Sequence, residues 1–382
     1  MAEHIIPNQY IIVFKSDIPK ERCQEHCQWA TELHTQRISA RSADSDAPET
    51  SGVLHHYSFP TWNGYAGSFD EDSKNEIETR EEVDFIEPDY KVYTKALVTQ
   101  SNAPSWGLAR ISHNRKLTPE TRTTYTYDSS AGEGARAYVI DTGILADHED
   151  FGGRATFGHN AVPGSSDTDM NGHGTHVSAT IGGTKYGVAK KTTIIGVKVL
   201  GDNGSGSNSG VIAGLQWAAG HAEADGVANM SLGGPKSQAM NNAVAAVIRM
   251  GMTVCVAAGG ESTTETGSPA SEPTAITVGA TDDSDALASY SNYGNLVDVL
   301  SPGTNITSAW IGASLDKTNT ISGTSFATSH VTGLAAYLIA KEGLSGSTAV
   351  TKRIKALAGK NPGQVAKAGT PNIIAYNGAA SN

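Results

Sequence analysis

The chain has 382 residues, 38% hydrophobic and 18% charged, with a formal net charge of −11. That length suits two or three globular domains with a substantial core, while the acidity and the lack of a basic stripe exclude nucleic acid and an anionic membrane surface as partners. The acidity is local, net −9 up to Lys95 and −2 beyond it. The longest apolar run, residues 334–340, falls far short of the roughly 20 residues that cross a bilayer, so no membrane span is expected. The first residues carry neither a basic n-region nor an apolar h-region, which leaves a cytosolic chain or one whose signal peptide has been removed. Cys23, Cys27 and Cys255 are too few for a disulfide framework and read as structural or incidental.

In chain order, residues 9–15 (QYIIVFK) predict a strand, residues 20–39 a helix, and residues 41–52 a polar connection. Strands are predicted over 53–59 and 65–69, an acidic helix over 71–82, and then the run Phe85-Ile86-Glu87-Pro88-Asp89-Tyr90 and a last strand. This β-α-β-β-α-β order points to a small α+β ferredoxin-like domain ending near Tyr93. A linker over 95–104 follows. Beyond Trp106, apolar strands at 137–140, 193–200, 226–230, 253–257 and 275–280 alternate with helical segments, notably 209–224 and 237–250. Such alternation predicts an α/β domain with a doubly wound parallel sheet covered on both faces, its chemistry at the carboxyl ends of the strands.

Three segments place reactive groups there. Tyr138-Val139-Ile140-Asp141-Thr142-Gly143 puts a carboxylate at a strand end, where it either caps a turn or acts in catalysis. Asn171-Gly172-His173-Gly174-Thr175-His176 opens a helix with a histidine flanked by glycines, which let the backbone bend and leave the ring open; a satisfied histidine at a helix start is the alternative. His173 with His176 as metal ligands is weaker, since there is no H-E-x-x-H motif and no obvious third ligand. Ile321-Ser322-Gly323-Thr324-Ser325-Phe326 runs into an apolar helix; Ser325 is either an N-cap or a nucleophile beside the helix's positive end. Asp, His and Ser in this chain order match the arrangement known from subtilisin.

With these motifs, and with Asn102-Ala103-Pro104-Ser105-Trp106-Gly107-Leu108 similar to the start of a mature enzyme, nearly the whole chain resembles a fungal subtilisin-like serine protease of the proteinase K group (peptidase S8) behind an inhibitor I9-type prodomain. The resemblance implies a prodomain over 1–95, removed on maturation, and a catalytic domain over 96–382. It assigns Asp141 to orient the imidazole, His173 as general base then acid, and Ser325 as nucleophile. It implies that Gly204, Ser205 and Gly206, with Ser231, Leu232, Gly233 and Gly234, pair with an extended substrate, which favours broad specificity; as bare sequence these are Gly-rich turns. It further implies structural Ca²⁺ held by Asp298 and the carbonyls of Pro273 and Ala275, the alternative for Asp298 being a turn residue.

One departure is consequential. In the family the residue after Ala257-Ala258-Gly259 is an asparagine whose amide serves the oxyanion, and here it is Gly260, which implies an impaired protease. Ala179 and Ser329 replace a usual Gly and Pro, and the 260–268 loop is one residue short. The implied partners are protein or peptide substrates and the chain's own prodomain, with Thr94 and Lys95 in the cleft until a cut before about Ala96, in a monomer. Secretion is implied by the family and by the N-x-S/T matches at Asn203 and Asn305; Asn229 matches too but falls at a predicted strand end and should stay unmodified. The rivals are a catalytically silent relative that keeps its prodomain or binds peptides, and a metal-dependent hydrolase using His173 and His176.

Overall fold

The computed structural model describes residues 5–40, 52–90, 96–222, 226–360 and 367–379. The chain divides into two compact units, Met1–Thr94 and Lys95–Asn382. In the first, β1 (Ile5–Phe14), α1 (Lys20–Ala40), β2 (Gly52–Ser58), β3 (Asn63–Ser68), α2 (Glu71–Glu78) and β4 (Val83–Tyr90) form the predicted order. The four strands make one antiparallel sheet in the order β2-β3-β1-β4. Its buried face (Ile12, Phe14, Tyr65, Phe69) packs on Cys23, Cys27 and Ala30 of α1. Most of the polar connection, residues 41–51, lies outside the described residues.

The second unit contains β5 (Leu97–Gln100), α3 (Trp106–Ile111), β6 (Tyr125–Asp128), β7 (Arg136–Asp141), β8 (Ala155–Asn160), α4 (His173–Gly182), β9 (Thr193–Lys198), α5 (Asn208–His221), β10 (Val227–Met230), α6 (Gln238–Arg249), β11 (Thr253–Ala257), β12 (Ile276–Thr281), β13 (Val299–Pro302), β14 (Ile306–Ala309), β15 (Thr318–Ile321), α7 (Thr324–Glu342), α8 (Ser347–Leu357), β16 (Gly359–Lys360) and β17 (Ile373–Ile374). The main sheet runs β16-β17-β13-β12-β11-β10-β7-β9-β8. All neighbours are parallel except the edge strand β16.

Alternation along the strands explains the two layers. Tyr138 and Ile140 of β7 and Val254 and Val256 of β11 face a core with α5 and α6, whose Val211, Leu215 and Ala218, and Met240, Val244 and Val247, recur at helical spacing. Ala137 and Val139 face α4 and Phe326, and Cys255 joins the core around α7. That helix is buried almost continuously from Phe326 to Ile339, as its apolar composition on every side requires.

Several elements lie outside the sequence expectation, β5, β8 and β13 among them. The predicted linker carries β5, which pairs with β6 from Leu97↔Asp128 to Gln100↔Tyr125; Leu97 and Val98 are exposed, so backbone pairing rather than an apolar face makes this strand. β8 is broken by a register shift between Phe157 and His159, which hides its alternation, and β13 has only four residues. From β7 the chain passes to β8 and β9 on one side, then crosses to β10 and beyond on the other. The switch point lies between β7 and β10, where a crevice opens at the carboxyl ends of the strands.

Candidate active site

Asp141 is the last residue of β7 and is fully buried. The Thr142 backbone N–H donates to its Oδ1 at 2.7 Å, and His173 Nδ1 lies 2.7 Å from the same oxygen. Burial disfavours charge on the His173 ring, but the Asp141 charge and hydrogen bond, with Asp169 behind them, outweigh it and raise the pKa above the usual histidine value.

The glycines around His173 are needed for different reasons. Gly172 caps α4 at φ +100°, and a Cβ there would lie 2.5 Å from the Trp310 ring. A Cβ on Gly174 would lie 2.2 Å from the Gly143 carbonyl oxygen; this glycine is required by close packing. His176, fully buried, turns away from His173: its Nε2 meets the Ile306 carbonyl at 3.0 Å and its ring packs 4.5 Å from Phe326. Burial pushes its pKa down to about 3. The two histidines therefore do not converge on one point, and among the described residues no cluster of three or more His, Cys, Asp or Glu side chains is placed to hold a metal.

Ser325 is the second residue of α7, where its backbone N–H has no intrahelical acceptor. The ring of the next residue, Phe326, lies 5.5 Å from that of His173. The Ser325 hydroxyl donates to the Ser231 carbonyl at 3.2 Å, and among the described residues it makes no hydrogen bond to His173. Catalytic hydrogen bonds often tighten only when substrate is bound. The Ser325 carbonyl accepts the hydroxyls of Ser231 (2.8 Å) and Ser329 (2.7 Å). Ser329 thus ties down the backbone of the turn that carries Ser325.

Two cavities meet at residues 231–235. One, of about 1130 Å³, is lined by Leu232, Gly233, Gly260, Glu261 and Ser325; the other, of about 580 Å³, by His173, Gly204, Ser205, Gly206 and Leu232. The structure thus gathers every predicted substrate-contact residue around His173 and Ser325. Gly234 differs from its neighbours: its N–H and C=O are both paired with Ser268 at 3.1 Å, so it closes the segment and offers no free edge. The Gly204 N–H is likewise taken by the Gly201 carbonyl at 2.9 Å. At Gly260 a Cβ would meet no atom within 4 Å, and the backbone φ is not in the left-handed region.

Four residues that the sequence reading passed over position this site. Asp169, buried, accepts five hydrogen bonds: from the N–H groups of Asn171, Gly172 and Thr175 and the hydroxyls of Thr142 and Thr175. Its signal was an acidic residue three before Gly172. Lys198, buried at the end of β9, donates to the Thr142 carbonyl (2.8 Å) and to Asp202 (3.1 Å). Asn229, buried in β10, donates to Ser231 Oγ and accepts from Thr332. Asn292 holds the turn around Gly260, donating to the Ala258 carbonyl and the Glu261 carboxylate. A polar residue inside an apolar strand is the legible signal in the Lys198 and Asn229 cases.

The expected calcium ligands do not form a ready site. Asp298 Oδ2 accepts the Thr277 N–H at 2.9 Å, and Oδ1 lies 2.6 Å from the Lys355 ammonium. Both carboxylate oxygens are engaged, so Pro273, Ala275 and Asp298 as arranged do not fit a bound cation. The cysteines are free and buried, and burial pushes the Cys27 and Cys255 thiols up to about 12, which leaves them inert.

A serine at a helix N-terminus beside an imidazole held by a buried carboxylate, at the switch point of a doubly wound sheet, is the arrangement of a serine hydrolase. The model of the subtilase family matches residues 132–369, and the chain belongs to that family of subtilisin-like serine proteases. The model of the peptidase inhibitor I9 family matches residues 9–95. Alkaline protease 1 of Aspergillus clavatus is 47% identical over 99% of this chain and 93% of its own length. Subtilisin-like protease 1 of Arthroderma otae is 45% identical over 99% of this chain and 76% of its own. A cold-adapted subtilisin-like serine proteinase of known crystal structure superposes with a TM-score of 0.67 at 43% identity, covering 72% of this chain and 98% of that one. Among the described residues no helix is long and apolar enough to cross a membrane.

Proposed function

We propose that the chain is the zymogen of a secreted, monomeric endopeptidase that hydrolyses extended peptide segments through an acyl-enzyme on Ser325. The observation that carries this reading is the buried Asp141 carboxylate holding His173 at 2.7 Å in the crevice that Ser325 also lines. Rotation of the Ser325 side chain away from the Ser231 carbonyl brings its hydroxyl to His173 Nε2. The imidazole takes the proton as Oγ bonds to the substrate carbonyl carbon, then gives it to the amine as the C–N bond breaks. A water deprotonated by the same nitrogen attacks the ester, releasing the acid and restoring the serine. Asp141 keeps the Nδ1–H tautomer and stabilises the imidazolium.

Gly206 and the backbone segment 231–233 would receive the substrate as an added strand, a mode that reads main chain more than side chains and gives broad specificity; the Gly204 N–H and the Ser205 N–H and C=O are already paired within their own turn. The Ser325 N–H supplies one oxyanion donor and Gly260 supplies no side-chain donor, so turnover is impaired. Residues 1–95 act as the intramolecular inhibitor, removed by a cut before about Ala96; Thr94 and Lys95, expected to occupy the cleft, lie outside the described residues. Calcium at Pro273, Ala275 and Asp298 is not part of this proposal, because Asp298 is already paired. Gly260 also favours a second reading, a silent relative that binds peptides or keeps its prodomain. Labelling with a fluorophosphonate decides between them: covalent mass on Ser325, absent in Ser325→Ala, supports the protease, and an unlabelled but folded chain supports the silent relative.

A further inference from the structure

The corner where β12 and β13 begin is held together by a cation of the chain's own. Asp298 immediately precedes β13; its N–H donates to the Thr277 carbonyl at 2.8 Å and its Oδ2 accepts the Thr277 N–H at 2.9 Å. Its remaining oxygen, Oδ1, faces Lys355 Nζ at 2.6 Å, from the last turn of α8. The Asp298 side chain is 20% exposed and that of Lys355 44%, so the ammonium closes the corner from its solvent side. Glu272, in the turn before β12, accepts the N–H and the hydroxyl of Thr274 on its Oε1 alone. The Asp298 and Lys355 charges offset each other.

A calcium ion binds carboxylate oxygens at about 2.3–2.6 Å and needs six to eight oxygen ligands. The Lys355 nitrogen stands at that distance from Oδ1, brings hydrogens rather than lone pairs, and repels a second cation. We infer that Lys355 replaces a metal ion at the Pro273, Ala275 and Asp298 corner: it fastens α8 to the start of β12 and β13, and the corner takes up calcium only when the lysine is removed.

The test uses the full chain with Ser325→Ala to keep it intact. Bound ⁴⁵Ca²⁺ per chain is measured by equilibrium dialysis at about 1 mM, a range in which extracellular modules bind the ion, and melting temperature is read in calcium and in chelator. Asp298→Asn is expected to leave the bound calcium of the parent unchanged. Lys355→Ala is expected to bind one more ion per chain, to lose it again with Asp298→Asn added, and to gain a calcium-dependent rise in melting temperature that the parent lacks. Lys355→Met, which keeps most of the apolar stem without a charge or an oxygen, serves as the second variant should the alanine form not fold. Loss of one bound ion from the parent on Asp298→Asn would overturn the inference, as would folded Lys355 variants that gain none.

Discussion

His173 Nδ1 and Asp141 Oδ1 stand 2.7 Å apart, the carboxylate wholly buried and the imidazole 24% exposed. The ring is anchored from inside while its other nitrogen faces the cleft. A general base must be neutral, and the Asp141 charge raises the His173 pKa against the effect of burial. The acid limb of kcat/KM should therefore lie above pH 6.5, the usual histidine value. Asp141→Asn should move that limb to lower pH and reduce kcat by about 10⁴, a magnitude borrowed from the equivalent change in trypsin. A pH–rate profile checks both; an unmoved limb would mean another charge sets it.

Gly260→Asn should raise kcat by about 10²–10³ with little change in KM, a magnitude borrowed from subtilisin's own oxyanion asparagine. The open space around a Cβ at this position means the new side chain has room to enter. Steady-state kinetics on a peptide substrate read the gain directly, and the intact mass of the full chain over time shows whether self-cleavage accelerates with it. A folded variant with unchanged kcat would show that the missing amide is not what limits turnover.

Asp169 holds the segment before His173 through five donors, and removing its carboxylate strands them inside the protein. Asp169→Ala should lower the stability by about 3 kcal/mol, the cost of leaving buried polar groups without partners, and lower kcat/KM by at least tenfold as the ring loses its mooring. Asp169→Asn, which keeps one acceptor oxygen, should fall between. Urea unfolding and kinetics on the same samples separate the two effects: equal stability loss with unaltered kcat would make Asp169 purely structural.

Burial lowers the pKa of His176 to about 3 and of His330 to about 4. Both titrate near 6.5 when unfolded, so below that pH the unfolded chain binds more protons and stability falls as pH drops from about 6.5 toward 4. His173 runs the other way: its raised pKa adds stability below 6.5 that is lost as pH rises through the folded value. Burial lowers His26 as well, and three lowered groups against one raised leave a net acid loss from the histidines. His330→Asn retains a donor for the Phe326 carbonyl, which His330 Nδ1 now meets at 2.7 Å, and cannot charge. Its melting temperature should therefore decline less than the parent's between pH 7 and 4.5; an identical decline would remove His330 as a cause.

Local pattern made much of this legible. Alternation and helical spacing placed the order of the first unit and the strands at 137–140, 253–257 and 275–280, because those faces are buried and the period of the side chains records it. β5 left no such record because it is held by backbone pairing at an exposed edge, and β8 left a blurred one because its register shifts. At the site, Asp141, His173 and Ser325 were visible as polar groups in glycine-rich settings at element ends. Asp169, Lys198 and Asn292 were not: Lys198 and Asn292 act on segments distant in sequence, and Asp169, whose partners lie mostly within six residues, shows its role only once that turn is folded around it.

The sequence alone determined the α/β alternation, the chain order of Asp, His and Ser, and the glycine at position 260, all of which are properties of local composition and spacing. Only the tertiary structure decided that Gly174 is needed for a close approach to Gly143, that Gly234 is already paired with Ser268, and that Lys355 reaches Asp298 across 57 positions of chain. Those facts depend on where distant backbone and side chains are packed together, and no local period carries that information.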